Sequence, residues 1–165
     1  MILGVIPARL NSTRFPSKVI FPLKGKPIIE HVYEKALQSN LLNKVIVAVD
    51  SEETKNVINC QNIIMTSDKH QSGTDRVAEV ANNFNCDIVV NIQGDEPGID
   101  PLLIDKLIQL FEDPDVEMAS IASTDLKEDD LNNDNVVKVN LDKENNAISF
   151  IRNNLNPEST YYLSL

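Results

Sequence analysis

The chain has no tryptophan, only two cysteines and five glycines in 165 residues, and no apolar run approaching the ~20 residues that cross a bilayer. Few glycines exclude collagen-like and glycine-linker architectures. Cys60 and Cys86 stand at neither metal-ligand nor redox spacing, which excludes a disulfide framework and leaves two small reduced core residues as the expectation. The longest apolar runs, Val45 to Val49 and Ile88 to Val90, are too short for a membrane span. Met1 leads straight into an apolar strand-like segment without a basic stretch or a small-residue cleavage site, so no secretory signal is expected and the cytoplasm is the expected compartment. Positive charge is also scarce: 15 Lys and Arg against 25 Asp and Glu give −10, a balance that repels nucleic acid and anionic membrane, and neither is expected as a partner.

What is present, 42% hydrophobic and 24% charged residues, fits one ordinary domain over 1–165. The charge is uneven. Residues 1–35 carry Arg9, Arg14, Lys18, Lys24, Lys26 and Lys35 against Glu30 and Glu34, whereas residues 112–144 carry eleven acids against three lysines. The amino end is therefore the end suited to an anion.

Hydrophobic periodicity predicts alternating elements. Ile2 to Ile6 reads as a buried strand followed by a loop to about Lys26, and Pro27 opens an amphipathic helix to about Ser39. Val45 to Val49 reads as a strand, and Ser51 caps a helix that turns Val57 and Ile58 inward. Ile63 to Met65 is a short strand, 73–83 a helix, Ile88 to Ile92 a strand, and Pro101 begins a helix carrying Leu103, Ile104, Leu107, Ile108 and Phe111. Val116 to Ala122 is a further strand candidate. Strands in β-branched runs alternating with helices predict an α/β doubly wound domain with a mostly parallel sheet. After an acidic, Asn-rich loop, Val136 to Leu141 and Ala147 to Ile151 predict a β-hairpin near the C-terminal end. The chain then stops mid-pattern at Tyr161 to Leu165 and reads as cut short.

Ligands of such sheets bind beyond the carboxyl ends of the strands, which directs attention to three loops. The first, Pro7 to Lys18, holds three cations, Arg9, Arg14 and Lys18, and three hydroxyls, Ser12, Thr13 and Ser17. Converging donors and positive charge suit a triphosphate, although a solvated basic loop accounts for the composition equally well. Neither glycine pattern of P-loop or dinucleotide-binding proteins is present. The second, Gln93 to Pro97, places Asp95 at a strand end, where one carboxylate suits Mg²⁺ bound to phosphate, and where a turn or cap residue is the alternative. In the third, His70 to Arg76, small residues open a helix, and capping by Ser72 or Thr74 competes with ligand contact. His31 and His70 stand alone, without partners at metal-ligand spacing.

These segments together, Ile6-Pro7-Ala8-Arg9 with Ser12-Thr13-Arg14-x-Pro16-x-Lys18, Gly25-Lys26-Pro27-Ile28-Ile29, His70 to Arg76 and Asn91 to Pro97, resemble the 3-deoxy-manno-octulosonate (Kdo) cytidylyltransferases. Val137-Lys138-Val139 and Phe150-Ile151-Arg152 resemble that family too. The resemblance implies a nucleotide-diphospho-sugar transferase fold, a homodimer when complete, Mg²⁺, and transfer of CMP from CTP to the anomeric hydroxyl of Kdo with release of pyrophosphate, for lipopolysaccharide. It further implies that Arg9, Arg14 and Lys18 hold the triphosphate with Ser12 beside them, that Asp95 holds Mg²⁺, and that Gln93 lies near the sugar. Arg152 would meet the sugar carboxylate, and Ser72, Gly73, Thr74 and Arg76 would contact nucleotide. Family members continue for roughly another third of their length, and the stretch between Arg152 and Tyr161 departs from the family pattern. A cytidylyltransferase for another acid sugar such as sialic acid, and a non-catalytic relic of the family, are the competing readings.

Overall fold

The computed structural model describes residues 1–10, 17–153 and, for the backbone alone, 161–164. They form two compact units, Met1–Glu112 and Asp113–Leu165.

The first unit is built on four parallel strands in the order β5-β4-β1-β6, namely β1 (Ile2–Ala8), β4 (Lys44–Val49), β5 (Ile63–Met65) and β6 (Ile88–Asn91). Between β1 and β4 lie the two-residue strands β2 (Pro22–Leu23) and β3 (Lys26–Pro27) and helix α1 (Ile28–Ala36). Helix α2 (Glu52–Val57) joins β4 to β5, α3 (Gly73–Ala81) joins β5 to β6, and α4 (Pro101–Gln109) follows β6. Side-chain alternation along the strands decides which helix covers which face. Ile6, Val45, Val47, Val49 and Ile92 pack with Ile29, Val32, Ile104 and Ile108 on the α1 and α4 side, whereas Leu3, Val5, Ile46 and Ala48 pack with Val77 and Val80 of α3. The doubly wound α/β class expected from the sequence is thus present in this unit.

Local signals explain most boundaries. Ser51 accepts from the Thr54 amide at 3.1 Å and caps α2. Ser72 and Asp75 cap α3 reciprocally, and the Asp100 carboxylate caps α4 just ahead of Pro101. Other expectations are corrected. The first strand runs on through Pro7 to Ala8 where a loop was expected, and before α1 the chain forms a 3-10 turn at Lys18–Ile20 and the β2–β3 ladder, closed by Lys24 and Gly25, both at positive φ (52° and 82°), which is the geometry of a tight hairpin turn. Helix α1 ends at Ala36, short of Ser39. Val57 is 52% exposed and only Ile58 turns inward, because α2 stops at Val57 and Ile58 is extended. Both cysteines are reduced and pack at the edges of the core, and burial, with help from Glu30 and Glu34, pushes the Cys60 thiol up to about 12.

The second unit is an antiparallel sheet in the order β7-β10-β8-β9, from β7 (Ala122–Ser123), β8 (Lys138–Leu141), β9 (Ala147–Ile151) and β10 (Tyr161–Ser164), with the one-turn helix α5 (Glu128–Leu131). The expected hairpin is β8–β9, and its turn is held by Asp142, whose carboxylate accepts from the Glu144 and Asn146 amides, each at 2.8 Å. The strand expected over 116–122 is absent apart from Ala122, since pairing with β10 reaches only Ala122 and Ser123 and residues 116–121 have no ladder partner among the described residues.

Close packing on Pro7 fixes the carboxyl edge of the first sheet. Glycines stand where the 70–76 and 93–97 loops press on Pro7 of β1: a Cβ on Gly94 would lie 2.8 Å from the Pro7 carbonyl oxygen, and one on Gly73 would lie 3.4 Å from the Pro7 ring. At the opposite edge, where the strands begin, buried Asp105 of α4 holds the turn that leads from α1 into β4, accepting from the Ser39 hydroxyl and from the Asn40 and Leu41 amides at 3.1 and 3.2 Å.

Gly94→Ala should therefore lower the melting temperature, by the equivalent of about 1–3 kcal/mol for an overpacked site, while Gly98→Ala, with open space around it, changes it little. Equal effects in thermal denaturation would refute the close approach at Pro7. Burial raises the Asp105 carboxyl, but its hydrogen bonds from Ser39, Asn40 and Leu41 outweigh that and hold it below the usual range. Its contribution is therefore complete above the unfolded-state value near 4 and is lost as pH falls through the lower folded value. Asp105→Asn should cost about 1.5–3 kcal/mol at pH 7 and leave a shallower loss of stability below pH 4, measured by urea denaturation against pH.

Candidate functional site

At the carboxyl edge of the parallel sheet, the loops leaving β1, β5 and β6 converge as the sequence predicts for a ligand site. The Lys18 ammonium donates to the Asp95 carboxylate at 2.7 Å, joining residues 77 apart in sequence, with both side chains about two-fifths exposed. Next to it, burial pushes the Glu96 carboxyl above the usual range, and the Asp95 charge adds to this against the opposing pull of Lys18. Of the two adjacent carboxylates, Asp95 is the more open to solvent.

Arg9, directly after β1, is exposed and donates from Nη1 to the Gln71 carbonyl at 3.2 Å, which ties the first loop to the segment before α3. Ser72 is engaged in its cap: its hydroxyl accepts from the Asp75 amide at 3.1 Å and donates to the Asp75 carboxylate at 2.7 Å, and this bond holds the Asp75 carboxyl low. Gly73 and Thr74 follow in the first turn of α3, and Gln93 is exposed at the end of β6. Arg76 is placed differently from the others. It is 2% exposed and bonded internally, from Nη2 to Asp50 at 3.2 Å and from Nη1 to Thr66 and, at 3.3 Å, to the Ser67 carbonyl. Ser12 and Arg14 lie outside the described residues.

In the second unit, Arg152 donates from Nη1 to the carbonyls of Asp134 and Asn135 at 3.1 and 3.0 Å. Lys138, fully buried, donates to the carbonyls of Asn133, at 3.1 Å, and of Arg152. The two cations thus fold residues 133–135 onto the end of β9.

His70 pairs with Glu79, whose carboxyl is held low by the Ser67 amide and by this histidine, and His31 donates to the Leu23 carbonyl at 2.8 Å. Among the described residues no group of three or more His, Cys, Asp or Glu gathers to hold a metal. An ion that draws most of its ligands from phosphate and water needs only one or two carboxylates, and exposed Asp95 suits that role. Asp50 and Thr66 are the residues missed in the sequence. Their signal was position, since each directly follows a strand, β4 and β5, at the edge where ligands bind.

Comparison with known proteins gives the family. A cytidylyltransferase family model matches residues 3–160. The 3-deoxy-manno-octulosonate cytidylyltransferase of Pelobacter propionicus is 43% identical over 157 residues, 93% of this chain and 62% of that protein, and that of Thermodesulfovibrio yellowstonii is 44% identical over 158 residues, 90% and 62%. The chain thus spans about three-fifths of the length of these relatives. Among solved structures, CMP:2-keto-3-deoxy-manno-octonic acid synthetase complexed with CTP superposes with a TM-score of 0.86 at 35% identity, over 99% of this chain and 70% of that one. A cytidylyltransferase from Leptospira borgpetersenii, at 24% identity and a TM-score of 0.61 over 74% of this chain and 53% of that one, shares the fold. With the family match running from β1 almost to the last described strand, the chain belongs to the cytidylyltransferase family.

Proposed function

We propose that this chain is the nucleotide-binding part of an enzyme that transfers CMP from CTP to the anomeric hydroxyl of Kdo, giving CMP-Kdo and pyrophosphate for lipopolysaccharide. The observation that carries the reading is the meeting of Lys18 and Asp95 at the carboxyl edge of the sheet, in a chain 43% identical over 157 residues to a relative of that name. In the reaction the sugar hydroxyl gives its proton to solvent as its oxygen bonds to the α-phosphorus, the bond from that phosphorus to the bridging oxygen breaks, and pyrophosphate leaves. The negative charge that accumulates on the departing group needs fixed cations. Arg9, Arg14 and Lys18 supply them, with Ser12 and the start of α3 (Ser72, Gly73, Thr74) lining the nucleotide. Asp95 is the residue that would hold Mg²⁺, which when bound neutralises phosphate charge and orients the triphosphate. Without nucleotide, Lys18 and Asp95 neutralise each other, and on binding each exchanges this partner for a ligand group of opposite sign. Gln93 is the residue of this unit that this reading assigns to the sugar.

The complete enzyme works as a cytoplasmic homodimer in this reading. Ile148 and Phe150, 62% and 54% exposed on one face of edge strand β9, offer an apolar surface to a second copy. No described helix is long and apolar enough to cross a membrane.

The test is pyrophosphate release from CTP with Kdo, sialic acid or a simple sugar phosphate as acceptor, for this chain and for any longer form. Kdo-dependent release by a longer form, with little or none from this chain, is the expected result, and release with sialic acid alone would transfer the assignment to that acid sugar. Asp95→Asn should remove most turnover while leaving the melting temperature nearly unchanged, with Glu96→Gln as the milder neighbour. The reverse order would give the metal role to Glu96. Lys18→Ala should cost about 2–4 kcal/mol of transition-state stabilisation in kcat/KM, and Lys24→Ala far less. Equal losses would point to general basicity in place of a phosphate site.

A further inference from the structure

The buried ion pair at the carboxyl end of β4 has no part in the reading above. Arg76, in the first turns of α3, is almost fully enclosed, and a guanidinium so placed requires fixed acceptors for its donors. Asp50 accepts from Nη2 at 3.2 Å, Thr66 and the Ser67 carbonyl accept from Nη1, and the Thr66 hydroxyl in turn donates to the Val49 carbonyl at 2.8 Å. A nucleotide reaching Arg76 would have to break these bonds. The second oxygen of Asp50 accepts from the backbone amide of Leu10 at 3.4 Å, one residue beyond Arg9. Arg9 itself donates to the Gln71 carbonyl, one residue before the cap of α3. The chain leaving β1 is therefore tied to the start of α3 twice, once over the surface by Arg9 and once from beneath by Asp50 and Arg76.

From this we infer that Asp50 and Arg76 are positioning residues: the pair sets the Arg9-bearing exit of β1 against the first turn of α3, and so presents both to the nucleotide without touching it. The inference rests on the proposed nucleotide site and replaces a direct contact by Arg76 with an indirect one. A guanidinium suits the task because its planar fork serves three acceptors at once, which a lysine ammonium on a flexible stem does not reproduce.

The experiment compares Asp50→Asn, Arg76→Gln, Arg76→Lys and the double variant Asp50→Asn/Arg76→Gln in this chain, by calorimetric titration with CTP and Mg²⁺ and by amide hydrogen exchange of the nucleotide-free protein. Asp105→Asn is the control for stability alone. Asp50→Asn and Arg76→Gln should each weaken CTP binding about tenfold per folded molecule, and the double variant should be no worse than the weaker single by more than about twofold, because one unit is being broken. Leu10 amide exchange should accelerate in both. Asp105→Asn should lower the melting temperature with CTP affinity and Leu10 exchange unchanged. If Arg76→Gln does not fold, Arg76→Lys carries the test, and wild-type affinity in that variant overturns the inference. So does loss of binding in Arg76→Gln with Asp50→Asn within about twofold of wild type, which would put Arg76 on the nucleotide, and so does an unchanged Leu10 amide in Asp50→Asn. A wild-type chain that takes up no CTP, with Leu10 exchange responding as expected, would remove the proposed function and leave the positioning pair standing.

Discussion

The close approach of two loop glycines to Pro7 governs the carboxyl edge of the sheet. Proline fixes its own φ and presents a rigid ring and a carbonyl with no amide of its own, so the last part of β1 forms an unyielding surface. Gly94 meets its carbonyl, where a Cβ at 2.8 Å would force a shift, and Gly73 meets its ring, where a Cβ at 3.4 Å would be in van der Waals contact. Neither glycine is at positive φ, so the requirement is space and not backbone freedom. Because Asp95 follows Gly94, and Thr74 follows Gly73, the same contacts decide how far apart the candidate metal ligand and the helix start stand from the Arg9 side of the site.

Polar groups complete the arrangement where apolar packing is absent. The α1–α4 side of the first unit is held by Ile and Val side chains and by the Asp105 cradle under the turn at 39–41, whereas the α3 side relies on fewer apolar residues and on Arg76 with Asp50 and Thr66. Buried charge is tolerated in both places because each donor or acceptor is met at bonding distance. The Lys18–Asp95 pair is of another kind. It is half-exposed, so solvent screens it and it contributes little to stability, which is what a pair that must separate for a ligand requires.

Much of the architecture was legible in the residues. Runs such as Val45 to Val49 are apolar on both faces, which only a covered parallel strand requires, and the Ser51 cap announced α2 one residue ahead of its start, while for α3 the structure chose Ser72 over Thr74 as the cap. Weak local signals misled. Val116 to Ala122 has the composition of a strand, but a strand needs a neighbour to accept its hydrogen bonds, and only Ala122 meets one. Val57 shared a helical face with Ile58 on paper, yet the helix ends between them and sends the two side chains opposite ways.

The sequence alone determined the parallel α/β class, the order of strand and helix, and the three loops with their cations and the Asp95 carboxylate, because hydrophobic period and residue chemistry are local properties. Tertiary structure decided which of those residues meet. That Lys18 lies against Asp95, that Gly94 is required by a carbonyl 87 positions earlier, and that Arg76 is enclosed while Arg9 is open all depend on how β1, β4, β5 and β6 order themselves in the sheet. Arginines at 9 and 76 carry the same chemistry in the sequence. Burial separates them: one keeps its charge available to a ligand, and the other spends its donors on Asp50, Thr66 and Ser67.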